Sequence, residues 1–147
     1  MAILDSSKAI NGTYGQVWLD DEEVMETKSF QAKIDIKKDS VARVGTLATG
    51  HKIISWEGKG TLKASHVTSR FITKAADNLK QGKATVCTII SKLEDPDAYG
   101  AERIALKNVI FDDITLADWE AQKAGEISAG FTFEDFELLD VIDPNNV

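Results

Sequence analysis

Residues 29–37, SFQAKIDIK, alternate polar and apolar side chains without a break. The alternation repeats every two residues, which is the period of a β-strand and not of a helix. One face would carry Phe30, Ala32, Ile34 and Ile36, and the other Gln31, Lys33, Asp35 and Lys37. The segment therefore predicts a strand with one apolar and one hydrated face, which is typical of an antiparallel sheet.

Less regular patterns predict the other strands, about six or seven in all. We expect them over residues 14–20, 52–65, 83–93, 102–116 and 126–140, between turn segments rich in glycine, proline or acidic residues. The 147 residues fit one domain, residues 1–147, with a core of its own. The predicted fold class is mainly β: an antiparallel β-sandwich or partly closed barrel with one α-helix.

Two strand pairings can be anticipated from chain order. Residues 14–20 are expected to form a hairpin with residues 29–37 through the acidic turn at residues 20–23. Residues 126–140 are interpreted as one last strand. Its inward side chains would be Ile127, Ala129, Phe131 and Phe133.

Two strands carry signs of irregularity. Gly58 and Gly60 indicate a bulge or a close backbone approach within residues 52–65. In residues 102–116, Ile104 and Leu106 share one face while Val109 and Phe111 share the other. Such a change of face predicts a bulge or a transfer from one sheet to another.

The helix is predicted over residues 67–81, with Gly82 ending it at the C′ position. It should cover an open end or face of the sheet. Its apolar face would hold Phe71, Ile72, Ala75, Ala76 and Leu79, and its opposite face Arg70, Lys74, Asp77 and Lys80.

Residues 39–52, DSVARVGTLATGHK, are predicted to form a loop between two strands. The loop holds Val41, Val44 and Leu47, and no proline or cysteine fixes it to the rest of the chain. Its apolar atoms need a surface to pack against. The alternative is an ordinary mobile hairpin tip.

The net charge of −7 is unevenly distributed along the chain. Residues 1–93 hold 14 basic and 10 acidic residues, whereas residues 94–147 hold 3 basic and 14 acidic residues. Two copies could therefore meet with faces of opposite charge. Equally, the two parts could intermingle in one sheet, which would remove the asymmetry.

No pattern of catalytic or ligand-binding residues is recognisable, so we expect no enzyme activity, metal or cofactor. His51 and His66 lack further ligands at metal-site spacing, and Asp112 and Asp113 would point to opposite faces of a strand. Cys87 lies in an apolar run and is interpreted as a buried side chain. We expect no signal peptide, no membrane span and no specific nucleic-acid binding, because the acidic excess repels phosphate.

Three segments in this order resemble the tail tube proteins of contractile-tailed phages and defective prophages, including the XkdM type of PBSX-like particles. They are NGTYGQVWLDDEEVMETKSFQAKIDIKK, ISKLEDPDAYGAERIALKNVIFDDITLADWEAQKAGE and FTFEDFELLD. The resemblance covers about residues 10–140. It implies a structural protein that forms stacked hexameric rings around a hollow channel through which DNA passes without specific binding.

The resemblance also implies partners and surfaces. The partners would be further copies of the chain, the sheath protein, and the tape measure and baseplate tube-initiator proteins, in a virion tail or phage-like particle made in the host cytoplasm. Three sets of residues become candidates: a self-assembly loop with Val41, Val44, Leu47 and His51; acidic residues facing the lumen, Asp35, Glu57, Glu134 and Glu137; and a sheath-facing helix with Arg70, Lys74 and Lys80.

Two alternatives remain open at this stage. The chain could be a related tube component of an injection system with the same fold, or a monomeric β-sandwich binding module. Hollow filaments or rings of the purified protein would favour a tube protein, and a monodisperse monomer would favour the binding module.

Overall fold

The computed structural model describes residues 5–67 and 69–143, without the side chains of Arg70 and Phe71. Two short 3-10 helices, Ser6–Lys8 and Gly12–Tyr14, precede the sheet. The remaining elements are β1 (Gly15–Leu19), β2 (Glu22–Glu23), β3 (Thr27–Val41), β4 (Gly50–Ser65), α1 (Arg70–Lys80), β5 (Cys87–Glu94), β6 (Ala101–Phe111), β7 (Glu126–Phe133) and β8 (Asp135–Asp140).

The eight strands form one antiparallel sheet in the order β2-β1-β5-β6-β7-β4-β3, and β8 pairs with β6 beside this path. The sheet is not closed into a barrel. Side chains from distant strands nevertheless share one core, with Val17 of β1 and Ile89 of β5 in the same cluster as Leu62 of β4 and Phe131 of β7. The open sheet therefore folds over a common interior, and the predicted mainly β, antiparallel class with one α-helix is confirmed.

The turn after β1 corrects one predicted pairing. Asp20 and Asp21 have φ angles of 49° and 68°, and Leu19 pairs with Glu22 across them. A two-residue turn with both φ angles positive is the type I′ hairpin turn. It reverses the chain at once into β2, so the predicted hairpin between residues 14–20 and 29–37 is wrong, and β1 pairs with β5 instead.

The bend predicted in residues 102–116 is confirmed as a bulge in β6. Leu106 pairs with Ile89 and Val109 pairs with Cys87, so two residues of β6 lie opposite one residue of β5. Asn108, one of the two, has a φ of 54°. The extra residue resets the alternation, and Leu106 and Val109 both face the core at 2% and 0% exposure.

The predicted last strand is in fact two strands, because a bend at Glu134 interrupts it. β7 pairs with β4, and it also pairs with the end of β6, whereas β8 pairs with the first half of β6. A single straight strand over residues 126–140 was therefore wrong. The four predicted inward side chains of β7 are buried as expected: Ile127, Ala129, Phe131 and Phe133.

The glycines of β4 mark a close approach of side chains to the backbone. Gly58 pairs with Phe133 and Gly60 pairs with Phe131 on β7. A Cβ atom at Gly60 would lie 2.3 Å from Phe131 Cζ, and one at Gly58 would lie 2.4 Å from Phe133 Cε2. The two rings therefore occupy the space that side chains on β4 would fill.

Helix α1 is shorter than the predicted 67–81, and it begins after Ser69. Gly82 has a φ of 73°, its amide donates to Leu79 O, and the Lys83 amide donates to Asn78 O. This is the Schellman arrangement expected of a glycine at C′. Ile72, Ala75 and Ala76 are half-buried, but Leu79 is 66% exposed, contrary to the predicted apolar face.

Candidate functional site

The hairpin of β3 and β4 projects from the rest of the fold. Apart from the half-buried Gly50, every residue from 35 to 57 is exposed, on both faces of the strands. Ser40 pairs with His51 and Val41 with Gly50, so the strands extend further than predicted. The predicted loop of residues 39–52 therefore shrinks to 42–49, and Val41 and His51 belong to strands. Residues 36–54 are called the arm below.

The arm exposes an unusual number of large apolar side chains. Val44 and Leu47 at its tip are fully exposed, each at 105%. Trp56 at the base is 43% exposed, and its ring meets the Phe136 ring edge-on at a centroid distance of 5.8 Å. The other exposed apolar side chains of the arm are Ile36, Val41, Ile53 and Ile54.

Sequence reasoning identified Val41, Val44 and Leu47 but missed Ile36, Ile53, Ile54 and Trp56. Ile36 was assigned to the core face because it continues the alternation of Phe30 and Ile34. The alternation gives a side chain's face but not how far the core extends along the strand. The available indication that the strand could extend past the core was the length of the segment after Ile34 without a turn signal.

β3 is also an open edge. Within the described part of the chain it pairs with β4 alone, and it ends the strand order of the sheet. Its 15 residues present a row of backbone amide and carbonyl groups to one side. A long edge of this kind is a template for pairing with a further strand, and proteins that stay monomeric keep such edges short or covered.

The strand register brings two of the four acidic candidates together, because Asp35 on β3 pairs with Glu57 on β4 and the two form one acidic row. Glu134 follows Phe133, the last residue of β7, and its amide donates to Lys107 O on β6. Glu137 lies apart on β8, where Lys107 Nζ lies 3.1 Å from its Oε2.

The face that carries this row is not uniformly acidic. Lys33 pairs with Lys59 in the next row, and Lys59 Nζ lies 3.8 Å from Glu57 Oε2. Lys37 and Lys63 are exposed on the same face by alternation. One acidic row therefore lies between two rows that carry lysines.

The three basic candidates of α1 are in different situations. Lys74 Nζ lies 2.6 Å from Asp20 Oδ2 and ties the helix to the turn after β1. The hydrogen bond with Asp20 raises the pKa of Lys74. Lys80 is exposed at the end of the helix, and the side chain of Arg70 lies outside the described part of the structure.

Asp20 also accepts a hydrogen bond of 2.8 Å from the Thr88 amide on β5. Partial burial acts to raise the pKa of Asp20, but the hydrogen bonds from Lys74 and Thr88 outweigh it and lower that pKa. The carboxylate therefore joins the turn, the helix and the sheet.

The described residues contain no group of three or more side chains suited to holding a metal ion. Cys87 is buried, and burial raises the pKa of its thiol to about 11, so it is a poor nucleophile at neutral pH. Among the helices of the described ranges, none has the length and apolar character needed to cross a membrane. The features that remain are surfaces for association.

Sequence comparison relates the chain to phage tail tube proteins. A family model described as Phage tail tube protein matches residues 2–140. The phage-like element PBSX protein XkdM of Bacillus subtilis (strain 168) is 34% identical over 137 residues, which cover 92% of this chain and 93% of that protein.

Solved structures share the fold at low sequence identity. The tube-terminating cap of the anti-feeding prophage has a TM-score of 0.69 at 14% identity, with 96% of this chain and 95% of the other covered. One chain of the extended sheath–tube complex of an extracellular contractile injection system, PVC, has a TM-score of 0.68 at 13% identity. The match covers 90% of this chain and 92% of that chain.

Proposed function

Because the chain belongs to the phage tail tube protein family, we propose that its copies form hexameric rings that stack into the hollow inner tube of a contractile tail. The resemblance noted in the sequence is confirmed by this family and by the identity to XkdM. The protein is a structural tail tube component and not an enzyme. Ring number, stacking and the passage of DNA through the lumen belong to the proposal.

The observation that carries the proposal is the incomplete β3–β4 hairpin. Within the described residues its 15-residue edge strand β3 is unpaired on one side, and the tip residues Val44 and Leu47 are fully exposed. In a ring, the β3 edge is paired with a strand edge of the neighbouring copy, which removes the exposed edge. A rotation that closes gives the ring, and repetition along the axis gives the tube.

Sixfold symmetry is supported by a related particle. The tail of the empty gene transfer agent particle, with a TM-score of 0.60 to this chain, was refined with C6 symmetry. The PVC complex contains a tube with its sheath, which supports a sheath protein as a partner of this chain. The exposed Lys80 on α1 is then the residue of the predicted helix face that is available to the sheath. Tape measure and baseplate tube-initiator proteins would meet the tube at its ends.

Asp35, Glu57 and Glu134 are proposed to face the lumen, the first two as a pair on the hydrated side of β3 and β4. Carboxylates there limit DNA adhesion, since phosphate contacts with lysine would release counterions and bind the duplex tightly. The ion pair of Lys59 with Glu57 offsets part of the charge of both residues. Glu137, paired with Lys107, contributes less to this potential.

The experiment is assembly of the purified protein followed by electron microscopy at increasing concentration. Wild-type protein is expected to form rings and hollow tubes. A variant in which residues 41–50 are replaced by Asn-Gly, a two-residue hairpin turn, keeps the Ser40–His51 pair and should fold but not form tubes. A matched control carries Lys83→Gln on an exposed site away from the hairpin.

A wild-type protein that stays monomeric at high concentration would show that the chain is a binding module and not a tube protein. If the variant with the shortened hairpin forms tubes of normal length, the arm is not required for stacking.

A second candidate, a tube component of an injection system that carries no DNA, is favoured by the likeness to the anti-feeding prophage cap and the PVC complex. Nuclease-protected DNA in purified parent particles would decide for the phage tail, and its absence from intact particles would decide for the injection system.

A further inference from the structure

The connection between β6 and β7, residues 112–125, holds a second apolar surface that the described part of the chain leaves exposed. Leu116 is 72% exposed and Trp119 is 86% exposed. The segment contains four acidic residues and one basic residue. An exposed tryptophan in a strongly acidic segment is unusual for a surface that meets only water. We call residues 112–125 the acidic connection.

Two adjoining cavities flank Trp119, one of about 340 Å³ and one of about 160 Å³. Asp118, Trp119 and Glu126 contribute to the walls of both cavities. Glu120 lies 4.0 Å from Lys123 in a fully hydrated pair, which contributes little. No ion pair neutralises Asp118 within residues 5–67 and 69–143. The surface therefore combines an exposed tryptophan beside two open cavities with uncompensated negative charge.

The arm has the opposite charge. Residues 36–54 contain four basic residues and one acidic residue. None of the four basic side chains forms an ion pair with another described residue; they are Lys37, Lys38, Arg43 and Lys52. Val44 and Leu47 lie between Arg43 and Lys52 along the chain, so the tip offers apolar side chains with basic neighbours.

The two surfaces lie at opposite ends of the same strand. Glu126, which follows the acidic connection, pairs with Ser65 at the end of β4, whereas Gly50 at the start of β4 pairs with Val41 in the arm. The 16 residues of β4 separate them by about 50 Å at roughly 3.3 Å per residue. The arm cannot reach the acidic connection of its own chain, but a second copy placed along the strand direction brings the two together.

We propose that the arm tip of one copy docks on the acidic connection of a copy in the next ring. Val44 and Leu47 pack against Trp119, and Arg43 and Lys52 lie opposite Asp118 and Glu120. The occupant is a second copy of this chain, because charge and apolar character match at two ends of one molecule. Such a head-to-tail contact does not close on itself and propagates along an axis, as stacking requires. This inference rests on the proposed tube function and names the acceptor surface.

Charge reversal on each side tests the contact. One variant carries Arg43→Glu with Lys52→Glu, a second carries Asp118→Lys with Glu120→Lys, and a third carries all four substitutions. Gln81→Glu with Lys83→Glu adds negative charge outside the arm and the acidic connection and is the control. All of these positions are exposed, and monomer integrity is checked by thermal unfolding. If the first variant lowers the melting temperature, the neutral variant Arg43→Gln with Lys52→Gln replaces it.

The readout is the protein concentration at which tubes sediment. Each reversal alone is expected to raise it by about tenfold or more, and the combined variant should return within about threefold of wild type. The control should assemble normally. Normal tubes from either reversal, or a combined variant no better than the single reversals, would overturn this docking while the tube function stands. Wild-type protein that forms neither rings nor tubes would overturn the tube function itself, and the docking with it.

Discussion

Gly60 offers a direct test of how the core is built, because a side chain at this position would meet the buried ring of Phe131. A Cβ atom at this position would lie 2.3 Å from Phe131 Cζ and 2.5 Å from Gln31 O. The first atom belongs to a ring that is 1% exposed, and the second belongs to the backbone of β3. Gly60→Ala therefore has to displace a core ring and the neighbouring strand together.

The Phe131 ring has little room to move. It stacks on Phe30 at 5.8 Å between centroids and meets Phe111 at 6.1 Å and Phe133 at 6.4 Å. Overpacking of a well-packed core costs about 1–3 kcal/mol. A Gly→Ala change gains about 0.4–1 kcal/mol by restricting the unfolded chain, which is less than the clash costs. We expect a net loss of about 1–2 kcal/mol in the free energy of unfolding.

The assay is thermal and denaturant unfolding of the monomer, with a melting temperature lowered by about 2–4 °C per kcal/mol for a chain of this size. Gly12→Ala is the control, because a Cβ atom there meets nothing within 4 Å, and its effect should stay within about 0.5 kcal/mol. In a Phe131→Leu background, Gly60→Ala should cost less, since the ring that it clashes with is gone. If Gly60→Ala unfolds at the wild-type temperature, the packing of Phe131 over β4 is not as described.

Three further substitutions or treatments follow from single contacts. Asp20→Asn breaks the 2.6 Å pair with Lys74 and should lower the free energy of unfolding by about 0.5–1 kcal/mol at pH 7. Because the pKa of Asp20 is lowered in the folded protein, this contribution is present above the unfolded pKa near 4. The difference in melting temperature between variant and wild type should therefore shrink as the pH falls through the folded pKa. A gap that widens in acid would contradict the role given to this carboxylate. Cys87 should resist thiol reagents at pH 8 in the folded protein, because its thiol is buried and has a pKa of about 11, and it should react at once in denaturant. Rapid labelling of the native protein would disprove its burial. Gly82→Ala places a side chain at a φ of 73° and should cost about 1–2 kcal/mol with a loss of helical circular dichroism, and an unchanged melting curve would count against the Schellman end of α1.

Local sequence patterns predicted the parts of the fold that depend on neighbours in the chain. Residues 29–37 form a strand, α1 ends at Gly82, and the inward side chains of β7 are those that alternation selected. Gly58 and Gly60 indicated a bulge or a close backbone approach, and the rings that approach them come from β7, some 70 residues later in the chain. The sequence indicated that side chains are missing at two positions of β4, but not which residues occupy that space.

Pairing between distant strands could not be predicted in the same way. Residues 14–20 and 29–37 are close in the chain and both suited to strands, yet the type I′ turn at Asp20 and Asp21 directs β1 to β5. Residues 126–140 alternate without a clear turn signal, yet they divide at Glu134 between two sets of neighbours. Partners separated by many residues are selected by the packing of the whole core, which no local window contains.

The amino-acid sequence by itself determined the β class, the single helix with its glycine end, and the uneven division of charge, because propensity, alternation and composition act over a few residues. The tertiary structure alone decided that Ile36 and Trp56 are exposed, that Asp35 pairs with Glu57, and that the basic arm and the acidic connection lie at opposite ends of β4. Register and core extent set these positions, and both arise only when distant strands pair.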